Sequence, residues 1–446
     1  MRKVFLMMIC LMGFSVMNSQ VYYQAAPEGF GAAATGGGNA APVTVTDFTS
    51  LRSNITSAGS KVILVSGTIQ IPSGQQISAV ITNKSIIGLP GAKLVNENQT
   101  GAGILNLKNG SNNVIIRNLI FVGPGAYDIN GNDNLTNQGG TNIWVDHCEF
   151  QDGQDGNFDN VGSADNVTIS WCKFTYLKAP IAGGVGGSND HRFSNLVGSS
   201  ATDSPADGHY SITYQSCYWA DGCRERMPRA RNAELHILNC YYNTIVSGAV
   251  GLGLGGGTKN STVYVENTNY AKISTFFKSY VSTDGGSIAV NYINSLSGAG
   301  AIGGGSNIGT VSPPNYAYTV IPTENVAAYV PDPGCGAGAT LQVTESGVIT
   351  PGQCANMGVG STGKTPELKL FPVPVKDVLN IELPVNRNRL MNLEIYTPEG
   401  RKVYSGSVPN TSGKTMTVDV AHLPKGTYFG RLRAGDQSFP LKFIKD

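Results

Sequence analysis

Two stretches of this 446-residue chain concentrate side chains able to handle charge. The first holds Asp133, Asp155 and Asp159, with Asp146 and Asp152 nearby; Asp155 and Asp159 stand four apart in the string DGNFD. Carboxylates gathered in this way, with no His–Cys set beside them, suit a hard, oxygen-seeking cation such as Ca²⁺. The same acids could instead serve as Asx turns. The second stretch is RERMPRAR, which places Arg224, Arg226, Arg229 and Arg231 within eight residues. Four guanidinium groups on a nearly neutral protein make an anion site, or else a solvated surface strand. Alternation along an extended segment sends Arg229 and Arg231 to one face, and Pro228 makes that strand irregular or puts it at an edge. Between the two stretches lies Lys178, in TYLKAPIAGG.

The elements that must hold these groups are announced by a repeat. Segments beginning at Asn113, Asn142, Asn166, Ser211, Glu234 and Thr262 each run through a short alternating strand to an aromatic: Phe121, Phe150, Phe174, Trp219, Tyr242 and Tyr270. Their starts are separated by 29, 24, 45, 23 and 28 residues. Position six reads Asn118, His147, Trp171, Ser216, Asn239, Asn267, and position seven reads Leu119, Cys148, Cys172, Cys217, Cys240, Thr268. A fixed strand motif at irregular intervals predicts an all-β fold, a right-handed parallel β-helix whose coils stack in register about 4.8 Å apart with loops bulging between them. A β-sandwich would show hairpin turns every ~8–12 residues instead. The cysteine column is expected to be a buried apolar stack, and stacked Asn side chains are expected to hydrogen-bond from coil to coil.

Composition agrees with stacked coils. There are 57 Gly, and only 14% of residues are charged against a usual ~25%, which excludes a coiled coil or a charge-driven disordered chain. Net charge is +1, which argues against a nucleic-acid binder. Arg2 and Lys3 followed by an apolar run predict a secretory signal over residues 1–20. The β-helix is expected over 21–345, with a local disulfide between Cys335 and Cys354. A Gly-rich linker is expected over 346–365. Residues 366–446 carry more charge and turn signals such as Pro398-Glu-Gly400, which predict a small separate β-sandwich.

The strings WVDHCEF, DGNFD, NVTISWCKF, YLKAPIAG and RMPRAR follow one another as in the family 1 polysaccharide lyases, the pectate lyases, which this chain resembles over about residues 25–340. PEGFGAAATGG and YAYTVIPTENV look like the opening and closing segments of that family. The resemblance implies a parallel β-helix that cleaves polygalacturonate by β-elimination with Ca²⁺. It assigns Asp133, Asp155 and Asp159 to calcium, Lys178 and Arg231 to substrate binding, and Arg226 to the base that removes the C5 proton. An ordinary guanidinium holds its proton to above pH ~12, so this role needs neighbouring positive charge, and an alkaline optimum is expected. Some members carry a further acid where Gly131 stands here. Asp146 and His147 are read as scaffold. Alternatives are a pectin lyase on methylated substrate, a polygalacturonase on the same fold, and a non-catalytic polysaccharide-binding adhesin. Asp155 and Asp159 weigh against the first, and the lack of an acid pair backed by a catalytic His against the second. The ordered set of acids and bases weighs against the third.

The tail resembles the C-terminal sorting domain of type IX secretion cargo, in LKLFPVPVKDVLNIELP, LEIYTPEGRKV, DVAHLPKGTYFGRL and the terminal KFIKD, with Val373 where an Asn is usual. This implies export through the outer-membrane secretion machinery, with the tail removed or used for surface attachment; the protein is expected to be a monomer.

Overall fold

A computed structural model describes residues 22–129, 131–354, 369–382, 390–397, 402–409, 415–434 and 437–446. The predicted signal segment and the latter part of the predicted linker lie outside them. Two compact units divide the chain, residues 1–357 and 358–446.

In the first unit each repeat segment forms one corner of a coil. Its leading strand joins a ten-stranded parallel sheet, which includes Asn112–Arg117, Thr141–Asp146, Asp165–Ser170, Tyr210–Gln215, Ala233–Leu238 and Ser261–Glu266. The trailing aromatic joins a second ten-stranded sheet, which includes Ile120–Val122, Glu149–Gln151, Lys173–Thr175, Tyr218–Trp219, Tyr241–Asn243 and Asn269–Lys272. A third sheet of eight strands closes each coil, through Leu135–Asn137, Phe158–Asn160, Leu196–Val197, Arg229–Ala230 and Val250–Leu254. The result is a parallel β-helix of about nine turns, as the repeat predicts.

Position six makes the corner. Asn118, His147, Trp171, Ser216, Asn239 and Asn267 all take the left-handed conformation, with φ of 56°, 46°, 49°, 53°, 54° and 46°. Asn tolerates this region best among residues with a side chain, which explains its recurrence. These Asn bond from coil to coil as expected, but through the main-chain carbonyl of the neighbouring corner rather than amide to amide. Asn118 Nδ2 donates to the carbonyls of Gly88 and Leu341, and Asn239 Nδ2 to those of Asn267 and Ile321. Asn–Asn bonds between coils occur elsewhere, from Asn134 to Asn157 (3.2 Å) and from Asn137 to Asn160 (3.1 Å).

Position seven points inward. Cys148, Cys172, Cys217 and Cys240 are free thiols, each fully buried. Each sulfur donates to the carbonyl at position four of the preceding coil: Ile116, Val145, Ile169 and Tyr214, at 3.3–3.7 Å. Thr268 repeats the bond to Ile237. Burial pushes the Cys172 and Cys240 thiols far above their usual range, so they are inert packing groups. Beside them the terminal aromatics stack in register, Phe121–Phe150–Phe174–Trp219–Tyr242–Tyr270, with centroids 4.3–5.6 Å apart and rings within 21° of parallel. Each such pair adds about 0.5–1.5 kcal/mol beyond burial.

The WVDH segment is scaffold on the outer face of the first sheet. Asp146 accepts from Arg117 Nε (2.9 Å) and Ser170 Oγ (2.6 Å) and contacts His147 Nδ1 at 2.8 Å. Burial alone would raise its pKa, but His147 and Arg117 outweigh burial and hold it low. The segment opening at Pro27 crosses the same face, where Gly31 N donates to Thr168 Oγ1 (2.9 Å). A Cβ on Gly31 would meet Ile143 O at 2.5 Å, so only glycine permits this approach.

The closing segment packs Ile321, Val326, Val330 and Ala337 around Trp171, and Cys335 is joined to Cys354. Replacing both cysteines by serine is expected to cost about 3 kcal/mol, from an unfolded chain freed of a 19-residue closure. Thermal unfolding of the double variant against the oxidised parent checks this; equal midpoints would refute it.

In the second unit, strands Lys369–Phe371, Val378–Glu382 and Thr415–Asp419 form one antiparallel sheet, and Leu390–Tyr396, Lys402–Pro409, Gly426–Ala434 and Gln437–Lys445 another. Leu379, Ile381, Met416 and Val418 of the first share one core with Leu393, Ile395, Tyr428 and Phe443 of the second, making a small β-sandwich.

Candidate active site

The third sheet and the turns feeding it carry the charged groups. Asp159 lies mid-strand in Phe158–Asn160, in register with Thr136 of the coil before, and Asp133 sits two residues before the strand that holds Thr136. Asp133 Oδ2 accepts from Thr136 Oγ1 (2.9 Å), whereas its Oδ1 is buried and unpaired. Both Asp133 Oδ1 and Asp159 Oδ1 border the bare backbone of Gly156: a Cβ there would lie 2.5 Å from one and 3.2 Å from the other. Asp155, on the same turn, is partly exposed.

These carboxylates raise one another. Burial first, then the charges of Asp159 and Asp155, pushes Asp133 far above the usual carboxylate range. Burial likewise pushes Asp159 up to about 7, against the opposing pull of Arg226 and of the Leu196 N–H, which donates to Asp159 Oδ1 at 2.7 Å. Two buried carboxyls and a third beside them, one oxygen without any partner, are costly unless a cation joins them. The residues present therefore fit a hard divalent ion. Gly131 packs against Gly101, whose Cα would be 2.9 Å from an added Cβ, so an acidic side chain has no room at this position.

Arg226 faces this cluster. Its Nη1 is 3.7 Å from Asp159 Oδ2, too long for a hydrogen bond. Its guanidinium lies over Phe193 at 4.8 Å, and its own carbonyl accepts from Asn195 N at 2.6 Å. Arg226 has φ 57°, a left-handed conformation uncommon for a long side chain and a mark of a position fixed by its surroundings.

Arg229 and Arg231 do share a face, and both reach Asp284: Arg229 through Nη2, and Arg231 Nε at 3.3 Å. Arg231 Nη1 also donates to Gly198 O. Lys178 is exposed and donates to Gly123 O at 2.8 Å, while its backbone N–H and that of Leu177 bond Asp152 Oδ1. It lines a cleft of about 450 Å³ with Arg192, Asp221 and Val246. The fold thus draws Asp133, Asp155, Asp159 and Arg226 into direct electrostatic contact, whereas Lys178 and Arg231 are held by other partners.

Sequence reasoning passed over Asp128 and His191. His191 is buried, with Nδ1 3.2 Å from Asp128 Oδ2 and Nε2 3.2 Å from Asp155 Oδ1. The available signal was the 45-residue interval in the repeat, much of whose extra length is the loop of residues 176–195 between Lys173–Thr175 and Leu196–Val197.

Comparison with known proteins places these observations. Residues 3–338 match the family model described as Pectate lyase, and residues 369–446 that described as Secretion system C-terminal sorting domain. A pectate trisaccharide-lyase of Thermotoga maritima is 35% identical over 209 residues, 44% of this chain and 50% of the relative. A probable pectate lyase B of Aspergillus flavus is 33% identical over 48% of this chain and 60% of its own. The chain spans about half the length of the first of these relatives. A probable pectate lyase A of Neosartorya fischeri is 30% identical over 62% of this chain and 76% of its own. In fold, the structure is similar to a pectate lyase variant of Bacillus subtilis, with TM-score 0.52 and 21% identity over 73% of this chain and 99% of the other. With a family model matched over most of its length by a chain folded as a parallel β-helix, this protein belongs to the pectate lyase family.

Proposed function

We propose that the chain is a secreted, calcium-dependent pectate lyase that cleaves α-1,4-linked polygalacturonate by β-elimination to 4,5-unsaturated oligogalacturonates. The observation that carries this is the buried, unpaired Asp133 Oδ1 beside Asp159 and Asp155. It describes a site short of positive charge, on the outer face of a β-helix and next to an arginine.

Asp133, Asp155 and Asp159 would hold Ca²⁺. When bound, that ion supplies positive charge that offsets the substrate carboxylate and makes the adjacent C5 proton more acidic. Arg231 and Lys178 would grip carboxylates along the chain and align the scissile sugar. Arg226 takes the C5 proton; the electron pair left on C5 forms the C4–C5 double bond, and the C4–O4 bond breaks with departure of O4. The left-handed backbone at Arg226 and the Phe193 ring beneath it hold the guanidinium at the edge of the acid cluster before substrate arrives.

Residues 1–20 would direct export, residues 21–345 carry the catalytic β-helix, 346–365 link it, and 366–446 pass the chain to the type IX machinery. A polygalacturonate assay tests the activity. Ultraviolet absorbance from unsaturated ends is expected with Ca²⁺ and is expected to vanish with a chelator. Reducing ends without absorbance would mean hydrolysis, and binding without either product would mean an adhesin.

A further inference from the structure

We propose that Asp284 is a positioning residue for Arg231: its carboxylate, two coils on, fixes the Nε edge of that guanidinium and leaves Nη2 to a substrate carboxylate. This rests on the proposed role of Arg231 in gripping polygalacturonate.

The carboxylate is built into a nearly closed seat. Its side chain is 6% exposed and ends the short helix Val281–Asp284, which follows the strand Thr275–Ser279 of the third sheet. The seat exists because the neighbouring backbone is bare. Strand Val250–Leu254 runs on into glycine, in the string GLGLGGG over 251–257. A Cβ on Gly253 would lie 2.9 Å from both Arg229 Cδ and the Tyr280 ring, and one on Gly255 would meet Asp284 Oδ2 at 2.0 Å. Gly255 N donates to Ala230 O (2.9 Å) and Gly256 N to Gly285 O (3.0 Å), so this shelf is tied to the coils on both sides.

Two guanidinium groups share the one carboxylate and use it differently. Arg229 is committed to the scaffold: Nη2 donates to Asp284 Oδ2, Nη1 donates to Ala230 O (3.0 Å), and the group lies 3.8 Å over the Tyr280 ring. Arg231 keeps an open edge. Its Nε is buried 3.3 Å from the same Oδ2 and makes no hydrogen bond, so charge alone draws it there, and its Nη1 donates to Gly198 O. The remaining nitrogen, Nη2, has no partner among the described residues and reaches solvent. A planar guanidinium held along Nε and Nη1 cannot turn, so the direction of Nη2 is set before a ligand arrives. With two cations against one anion, a positive charge is left over for a carboxylate from outside.

Two variants of the full chain, assayed on polygalacturonate with Ca²⁺, separate position from charge. Asp284→Asn removes the charge at nearly constant shape. Gly255→Ala keeps the charge but drives a methyl group into Oδ2. Positioning predicts that each raises KM about tenfold, with kcat within about threefold of the parent. If Asp284 acted only through net charge, Asp284→Asn would bind the polyanion more tightly and Gly255→Ala would match the parent. If it were only structural, melting temperatures would fall with KM unmoved. Either result would overturn the proposal. Arg231→Gln is the reference. A raised KM there, with parent-like KM in both other variants, sinks the Asp284 assignment alone, whereas a parent-like KM in Arg231→Gln sinks the substrate role of Arg231 and the assignment with it. NMR of the parent guards against variants that do not fold. The Arg231 Nε–H should exchange with solvent at least about tenfold more slowly than those of exposed arginines, and trigalacturonate should shift the Nη signals. Exchange at the exposed rate would overturn the proposal whether or not the chain proves to be a lyase.

Discussion

Replacing Arg226 by lysine is expected to lower kcat on polygalacturonate by roughly 10²–10⁴-fold while leaving KM close to the parent value, the signature of a group that acts on the proton in flight rather than on binding. The site is built for a guanidinium. Its plane rests on Phe193, its carbonyl is tied to Asn195 N, and its Nη1 stands 3.7 Å from Asp159. A lysine keeps the charge but loses the planar stack, and its single nitrogen cannot occupy the same edge. Steady-state kinetics at saturating Ca²⁺ decide the matter. A parent-like rate in Arg226→Lys with normal substrate binding would sink the assignment of the base, and a rise in KM alone would make Arg226 a binding residue.

The second large effect concerns Asp133. At neutral pH the metal-free Asp133→Asn variant should be more stable than the parent by about 1–3 kcal/mol, although it should lose both Ca²⁺-induced stabilisation and activity. The sign follows from protons. An unfolded carboxyl ionises near pH 3.9, whereas Asp159 holds its proton to about 7, and burial with the charges of Asp159 and Asp155 raises Asp133 well above the usual carboxylate range too. The folded chain therefore binds more protons than the unfolded chain across this window. The stability these two groups contribute is complete below about pH 4 and is lost as pH climbs through their raised folded values, about 7 for Asp159. Ca²⁺ requires ionised carboxylates, so its binding releases protons and tightens as pH rises. Melting curves from pH 5 to 8.5, with Ca²⁺ or with chelator, should show the gap between the two conditions widening with pH in the parent and collapsing in Asp133→Asn. A gap independent of pH, or one that survives in Asp133→Asn, would remove Asp133 from the metal site.

The architecture could be read in the chain because a β-helix repeats its physics once per coil. A residue that turns the corner, a small group that caps the carbonyl of the coil below, and an aromatic that stacks recur at fixed offsets, and each is a local demand. Position six shows how one residue type can meet several demands. Its Asn residues tolerate φ near 50°, and their amides bond the neighbouring corner, as from Asn239 to Asn267 O, and also the closing segment of the chain. The column of cysteines was legible as packing for the opposite reason, since one residue type repeated at an inward position needs no distant partner.

The site was legible only in part. Asp155 and Asp159 announce themselves by spacing and the arginines by density. Their roles depend on which coils stack, and register alone puts Thr136 against Asp159 and Leu196 against Arg229. The fates of individual charges were outside what any local pattern could specify. Nothing in RERMPRAR shows that Arg229 and Arg231 meet Asp284, more than fifty residues away and two coils on. Nothing in the string SNDH shows that His191 will lie between Asp128 and Asp155. The sequence by itself determined the coil, its corners, its interior columns and the types of charge it would display, because these follow from each residue's own conformational and burial preferences. Tertiary structure alone decided which charges touch, which carboxylate oxygen stays unpaired and how far its proton affinity rises, because desolvation and Coulomb energy depend on distances that exist only once the coils have stacked.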